Sequence, residues 1–171
     1  MSTIRPATPG DVPDILRMIH DLATYEKEPD AVRNTPDMLE RVLFGDSPRV
    51  YATMAENAAG VVQGFAMWFL NYSTWEGVHG IHLEDLYVAP EARGEGHGTA
   101  LLQFLARTAV DNGYARVEWN VLDWNEPSIN FYKNLGAVPM DGWSTFRLTG
   151  HALQAYGQSD GAPSPEVPRL P

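Results

Sequence analysis

Between residues 11 and 27 the apolar side chains return at Ile15, Met18, Ile19, Leu22 and Ala23, the three-and-four spacing of one helical face. Asp11 stands where a cap belongs and Pro13 suits the first turn, so the pattern predicts a helix over 11–27. A second helix is predicted over 35–44, with Thr35 as cap and Pro36 at the first helical position. The pattern then changes period. Residues 49–56 alternate like a strand, 57–60 read as a turn, and 61–72 read as a second, more buried strand, giving a hairpin. After the interruption at 73–77, a third strand is predicted over 78–89 and ends at Pro90. Residues 98–113 return to helical spacing and close at Gly113. A strand over 114–123 follows, then a short helix over 124–136 with Asn125 or Ser128 near its start and Gly136 after its end. The last predicted strand is 143–150, and 151–157 can add a turn of helix. The polar, proline-rich residues 157–171 read as a disordered tail behind one domain over 1–156.

Helices on both sides of a strand-rich middle make the class mixed α/β. The strand at 78–89, the helix at 98–113 and the strand at 114–123 form a βαβ unit, which calls for a parallel pair joined by a right-handed crossover.

Composition narrows the function. The 171 residues carry a formal net charge of −10, which argues against nucleic acid, where a basic footprint is expected, and is compatible with a cationic ligand. Cysteine is absent, which excludes disulfides and cysteine–zinc sites and fits a reducing compartment. No apolar run approaches the ~20 residues of a membrane helix, and residues 1–11 lack the apolar centre of a signal peptide. No membrane partner is expected, and the cytoplasm is the expected location.

The densest chemistry lies between the third strand and the long helix, in "YVAPEARGEGHGTALL", residues 87–102. A loop leaving a strand and entering a helix presents the helix's first N–H groups, which have no intrahelical partner, and the positive end of its dipole. Gly94, Gly96 and Gly98 let a ligand approach the backbone, and Arg93 adds a full charge. Together they read as an anion site, with phosphate the usual anion. No Gly-Lys-Ser/Thr P-loop is present, and the dinucleotide pattern starting at Gly94 has Thr99 where its third glycine belongs. A plain glycine-rich turn is the alternative reading of this stretch alone.

Arg93-Gly-Glu-Gly96-His-Gly98 resembles the Arg/Gln-x-x-Gly-x-Gly/Ala element of the GNAT acetyltransferase superfamily. "IRPATPGDVPDILRMIHDLATYEK", "YSTWEG", "LEDLYVAPEARGEGHG" and "LDWNEPSINFYKNLGA" extend the resemblance over roughly residues 3–148, toward the small-amine branch of spermidine/spermine and thialysine acetyltransferases. The resemblance implies a mostly antiparallel mixed sheet of about seven strands, helices on both faces, and acetyl-CoA wedged between two splayed central parallel strands. It also implies a homodimer, and no metal is expected. Carried across by position, Gly94, Glu95, Gly96, His97, Gly98 and Thr99, beside Arg93, would hold the diphosphate. The backbone of Leu86, Tyr87 and Val88 would pair with the pantetheine arm. Asn125, Glu126, Pro127 and Ser128 would line the far side of the cofactor, with Tyr132 near the thioester sulfur.

Acetyl transfer to an amine needs a neutral nucleophile, and freeing an alkylamine of pKa about 10.4 at pH 7 costs roughly 4–5 kcal/mol. An acid can hold the ammonium and then accept its proton, directly or through a water. Glu84 and Asp85 are adjacent in a strand, so regular alternation points them to opposite faces, and the resemblance favours Glu84 as the catalytic group. A backbone N–H near Val88 would stabilise the charge developing on the carbonyl oxygen. The Tyr132 hydroxyl would protonate the departing thiolate, while Phe131 is left to the core. Tyr25, Glu26, Ser73, Trp75, Glu84, Asp85, Glu118, Trp119, Asn120 and Asp141 fall where the branch touches its amine. Polyamine-acetylating members carry Tyr-Asp-Pro-Trp where this chain has Tyr72-Ser73-Thr74-Trp75. That difference favours an amino-acid-like or short diamine substrate. His79 and His82 lie three apart in a strand, which disfavours a shared metal, and His97 reads as a solvated loop residue within reach of a phosphate. The competing functions are a non-catalytic module sensing acyl-CoA or polyamine, and an acetyltransferase for protein or peptide amines.

Overall fold

The computed structural model describes residues 2–158, which fall into two compact units divided after Leu122. The predicted tail lies outside the described residues from 159 onward.

In the first unit five strands form one sheet in chain order: β1 (Thr3–Pro6), β2 (Val50–Glu56), β3 (Val62–Ser73), β4 (Val78–Val88) and β5 (Val117–Trp119). Every neighbouring pair is antiparallel except β4 and β5, which are parallel, as the βαβ reading requires. The helices are α1 (Val12–Tyr25), α2 (Pro36–Phe44) and α3 (His97–Asp111). Val12, Ile15 and Met18 of α1 and Leu39 and Leu43 of α2 pack on Ala52, Met54, Phe65, Met67 and Tyr87, which register places on one face of the sheet. Leu101, Leu102, Leu105 and Ala109 of α3 bury against the other face. Two opposed helical layers on a mixed sheet match the architecture that the resemblance implies, with five strands in the described sheet against the expected seven or so.

Local chemistry explains most element ends. Thr35 caps α2 by accepting from the Met38 N–H at 3.3 Å. Asp11 does not cap α1 with its side chain; its carboxylate accepts from the Thr8 N–H and hydroxyl and from both terminal nitrogens of Arg5 at 2.7 and 2.8 Å. This network fastens the start of α1 to β1, a strand that a lone Ile4 among polar neighbours did not announce.

Three differences from the sequence expectation concern the strands. β5 covers only 117–119 of the expected 114–123, because the chain leaves β4 after Trp119. The β3–β4 ladder slips between Met67 and Trp68: Met67 faces Asp85 and Trp68 faces Leu83, so Glu84 is the extra residue of a β-bulge. In the second unit, α4 (Glu126–Asn134) and α5 (Gly150–Gly157) are helical, but 143–149 form no strand. That segment has no ladder partner among the described residues, and Trp143 and Phe146 are 72% and 95% exposed; extended propensity without a paired backbone is not a strand.

Candidate active site

The glycine loop sits where the sequence placed it. β4 ends at Val88, a short 3-10 turn covers Pro90–Ala92, and Gly96, with φ 89°, caps α3. Gly94 also has positive φ, 86°, a conformation that costs other residues roughly 1–2 kcal/mol. A Cβ added at either glycine meets nothing within 4 Å, so the space in front of the loop is open to a ligand. The Ala100 N–H donates to Gly96 O, while the N–H groups of Gly94, Gly96, His97, Gly98 and Thr99 have no backbone acceptor among the described residues. Donors gathered at a helix N-terminus make an anion cradle that fits a diphosphate.

Two side chains of the loop behave differently from expectation. Arg93 Nε donates to Val88 O at 3.1 Å, and its guanidinium carbon lies 5.1 Å from the centre of the Tyr25 ring. Arg93 thus straps the loop to the end of β4 and to α1. The His97 ring is not solvated: the residue is 3% exposed and its Nδ1 lies 2.7 Å from Ser2 Oγ. What His97 offers the cradle is its backbone N–H.

Beside the cradle, β4 outruns its parallel partner. Ile81, His82 and Leu83 pair with Val117, Glu118 and Trp119, and residues 84–88 then continue with β3 alone. This is the splay of a central parallel pair. It leaves one backbone edge of β4, across Leu86, Tyr87 and Val88, unpaired by β5.

The bulge decides where the acids go. Because Leu83 and Leu86 both oppose the α3-side residues Trp68 and Ala66, the two residues between them lie together on the α1 side. Asp85 faces Met67 there, and Glu84 Oε2 lies 3.7 Å from Nε2 of His82, whose ring packs at a tilt against Phe69. Glu84 and Asp85 therefore share a face, contrary to the alternation rule. Their exposures differ. The Glu84 side chain is 58% exposed, whereas burial, reinforced by the Glu84 and Glu26 carboxylates, raises the Asp85 pKa to about 6. Glu26, just past the end of α1, is also raised, by burial.

The remaining expected contacts divide. Glu118 is already satisfied, accepting from Asn71 Nδ2 at 2.5 Å and pairing with Arg116 at 2.9 Å; neither partner carried a signal in the sequence. Trp119 is half-buried opposite Leu83, and Asn120 is exposed just beyond β5. Ser73 is buried at the end of β3, where its Oγ accepts from the Glu76 N–H and shapes the turn that leaves Trp75 88% exposed. That turn lies roughly 20 Å along β4 from Glu84, at 3.3–3.4 Å per residue. In the second unit, Asn125 caps α4 by accepting from the Ser128 N–H at 3.4 Å, with Glu126 and Pro127 opening the helix. Tyr132 is half-buried on α4 with its ring 5.4 Å from that of Phe131, and Asp141 is exposed.

Comparison with known proteins agrees with this geometry. The Acetyltransferase (GNAT) family model matches residues 15–137. Thialysine N-epsilon-acetyltransferase of Sus scrofa is 40% identical over 161 residues, covering 88% of this chain and 94% of the relative. An Arabidopsis thaliana L-ornithine N5-acetyltransferase is 32% identical over 198 residues, covering 90% and 87%. Among solved structures, an integron cassette protein from the mobile metagenome of V. cholerae superposes with a TM-score of 0.77 at 23% identity, covering 92% of this chain and 98% of the other, a likeness of fold. The cradle, the splayed parallel pair and these matches give one conclusion: the chain belongs to the GNAT acetyltransferase family and is an acetyl-transferring enzyme.

Proposed function

We propose that the enzyme moves the acetyl group of acetyl-CoA to a primary amine of a small cationic molecule, by direct attack in a ternary complex. The substrate class is a diamine, a polyamine or a thialysine- or lysine-like amino acid. The observation that carries the reading is the coincidence of an open N–H cradle at Gly94–Thr99 with an unpaired β4 edge and two adjoining carboxylates. Acetyl-CoA supplies the activated acetyl group. Gly94–Thr99 bind its diphosphate through backbone N–H groups, and the edge at Leu86, Tyr87 and Val88 orients the arm. Asn125, Glu126, Pro127 and Ser128 take the far side.

Glu84, the exposed acid, receives the substrate's ammonium. Asp85 beside it accepts the proton: a carboxyl with pKa about 6 is ionised at neutral pH yet closer in basicity to an amine than an ordinary aspartate. Tyr132 donates a proton to the departing sulfur. Glu26 adds negative charge on the same side, matching a substrate with a second cationic group. With Ser73 spent on its turn and Glu118 answered by Arg116, the acidic field is smaller than a long polyamine would use, so a short diamine or an amino-acid-like substrate fits best. Residues 1–156 form the catalytic domain, with 157–171 beyond it. The enzyme works as a homodimer in which a second copy covers exposed apolar side chains such as Trp143 and Phe146.

Thiol release from acetyl-CoA, measured with putrescine, spermidine, thialysine, lysine and a peptide side by side, tests the reading. Release is expected with the small amines and not with the peptide. Binding of acetyl-CoA with no thiol released by any amine would make the protein a sensor instead. Tyr132→Phe should lower kcat by ~10²-fold or more, the scale of one general acid, with little change in acetyl-CoA affinity. Equal losses in both would reassign Tyr132 to packing.

A further inference from the structure

The cradle contains an acid. Glu95 lies between Gly94 and Gly96, where a carboxylate repels the diphosphate that the surrounding N–H groups attract. The first residue of α3 answers this. The His97 side chain is 2% exposed, and its Nδ1 is 2.7 Å from Ser2 Oγ. Its Nε2 is buried without a hydrogen-bond partner among the described residues, and the nearest charge is Glu95 Oε2 at 3.4 Å. The Ser2 contact leaves two states for the ring. If the hydroxyl donates to Nδ1, then Nε2 carries the hydrogen and attracts Glu95; if the ring is doubly protonated, it attracts Glu95 more strongly. The remaining tautomer would aim a lone pair at the carboxylate. Glu95 and His97 line a surface cleft of about 490 Å³ together with Ser2, Asn57, Ala58 and Ala59 of β1's start and the β2–β3 turn. The carboxylate therefore has somewhere to go.

We infer that His97 is a positioning residue for the anion cradle: its buried Nε2 holds the Glu95 carboxylate in the cleft, off the coenzyme's diphosphate. The inference rests on the acetyl-CoA reading of the cradle. The long 3.4 Å contact closes into a hydrogen bond when the arriving anion repels Glu95, so the unpaired Nε2 is a reserved donor.

Acetyl-CoA binding by titration calorimetry tests this on a set of variants. His97→Leu should weaken binding about tenfold, and the same change in a Glu95→Gln background should cost little, because the charge to be held is gone. Glu95→Gln alone should tighten binding slightly. His97→Gln, whose amide N–H falls near Nε2, should keep most of the affinity. Raising salt to ~0.5 M should shrink the His97→Leu penalty, since the Debye length falls below ~5 Å. A loss that is the same with Glu95 and with Gln at 95, unaffected by salt, would overturn the inference and make His97 a packing residue. His97→Leu failing to fold would move the decision to His97→Gln and His97→Asn: equal losses in both, unrelieved by Glu95→Gln, would overturn it as well. Should the wild-type chain not bind acetyl-CoA, the reading of the cradle falls and takes this inference with it. Wild-type binding without the Glu95-dependent rescue sinks the inference alone.

Discussion

Asp85 is the residue whose environment says most about its task. It sits under Glu26 and beside Glu84, and burial and these two charges bring its pKa to about 6. A group that stays protonated in the folded chain while the unfolded chain ionises near 3.8 lowers stability as pH rises through that window. Asp85→Asn should therefore match the wild type below pH ~4 and be more stable by about 3 kcal/mol well above pH 6, readable in urea melts across pH. Its activity should change in the opposite sense. The wild-type kcat/KM should rise as pH passes 6, and the variant should lose that limb together with most of its rate. A variant that kept the pH 6 limb would remove Asp85 from the proton's path. The sequence announced two adjacent acids but not which one is the more enclosed, because that depends on one unpaired residue in the ladder. His97 was similarly opaque: a histidine between loop glycines reads as solvated until Ser2 is brought to it.

At the level of elements, the start of α3 is the best-specified part of the chain. Positive φ at Gly94 and Gly96, the strap from Arg93 to Val88 and the free N–H groups all follow from seven consecutive residues, Arg93 to Thr99. Gly96→Ala should cost about 1 kcal/mol of stability from the left-handed backbone and weaken acetyl-CoA binding further by placing a methyl in open cradle space. Paired thermal melts and calorimetry separate the two effects. The network at the other end of the unit supports a second prediction. The Arg5 guanidinium holds the Asp11 carboxyl at a pKa of about 2, so its stabilisation is present above ~3.8 and lost as pH falls through 2. Asp11→Asn should then destabilise by about 2 kcal/mol at pH 7, measured by urea titration, with the difference fading in acid. The helices were legible because their stripes and caps are local. β1 and the last expected strand were not, because a strand is made by its neighbour: Thr3–Pro6 gains one in β2, and 143–149 finds none among the described residues.

For the whole molecule, a formal charge of −10 surrounds a site proposed to take a cation and an anion. Field and local donors then pull in different directions. KM for the amine should rise with ionic strength as the long-range attraction is screened, while acetyl-CoA affinity should depend less on salt, since short N–H contacts set it. Initial rates at ~0.05 and ~0.5 M salt distinguish this from a uniform salt effect. The fold class and the parallel pairing of the βαβ unit were legible from period changes and glycine punctuation. The bulge in β4 was not, yet it has the largest reach. By interposing Glu84, the strand shifts phase by one residue, so Leu83 and Leu86 both stay on the α3 side while two neighbouring carboxylates share the α1 side. Excising Glu84 would mend the weave and leave every other side chain on its present side, whereas a second extra residue there would restore the alternation and put its own side chain, not Asp85, on the face of Leu83 and Leu86. A strand with this slack can lose a charge without losing its fold, and that is a route by which close relatives could retune the cation they accept.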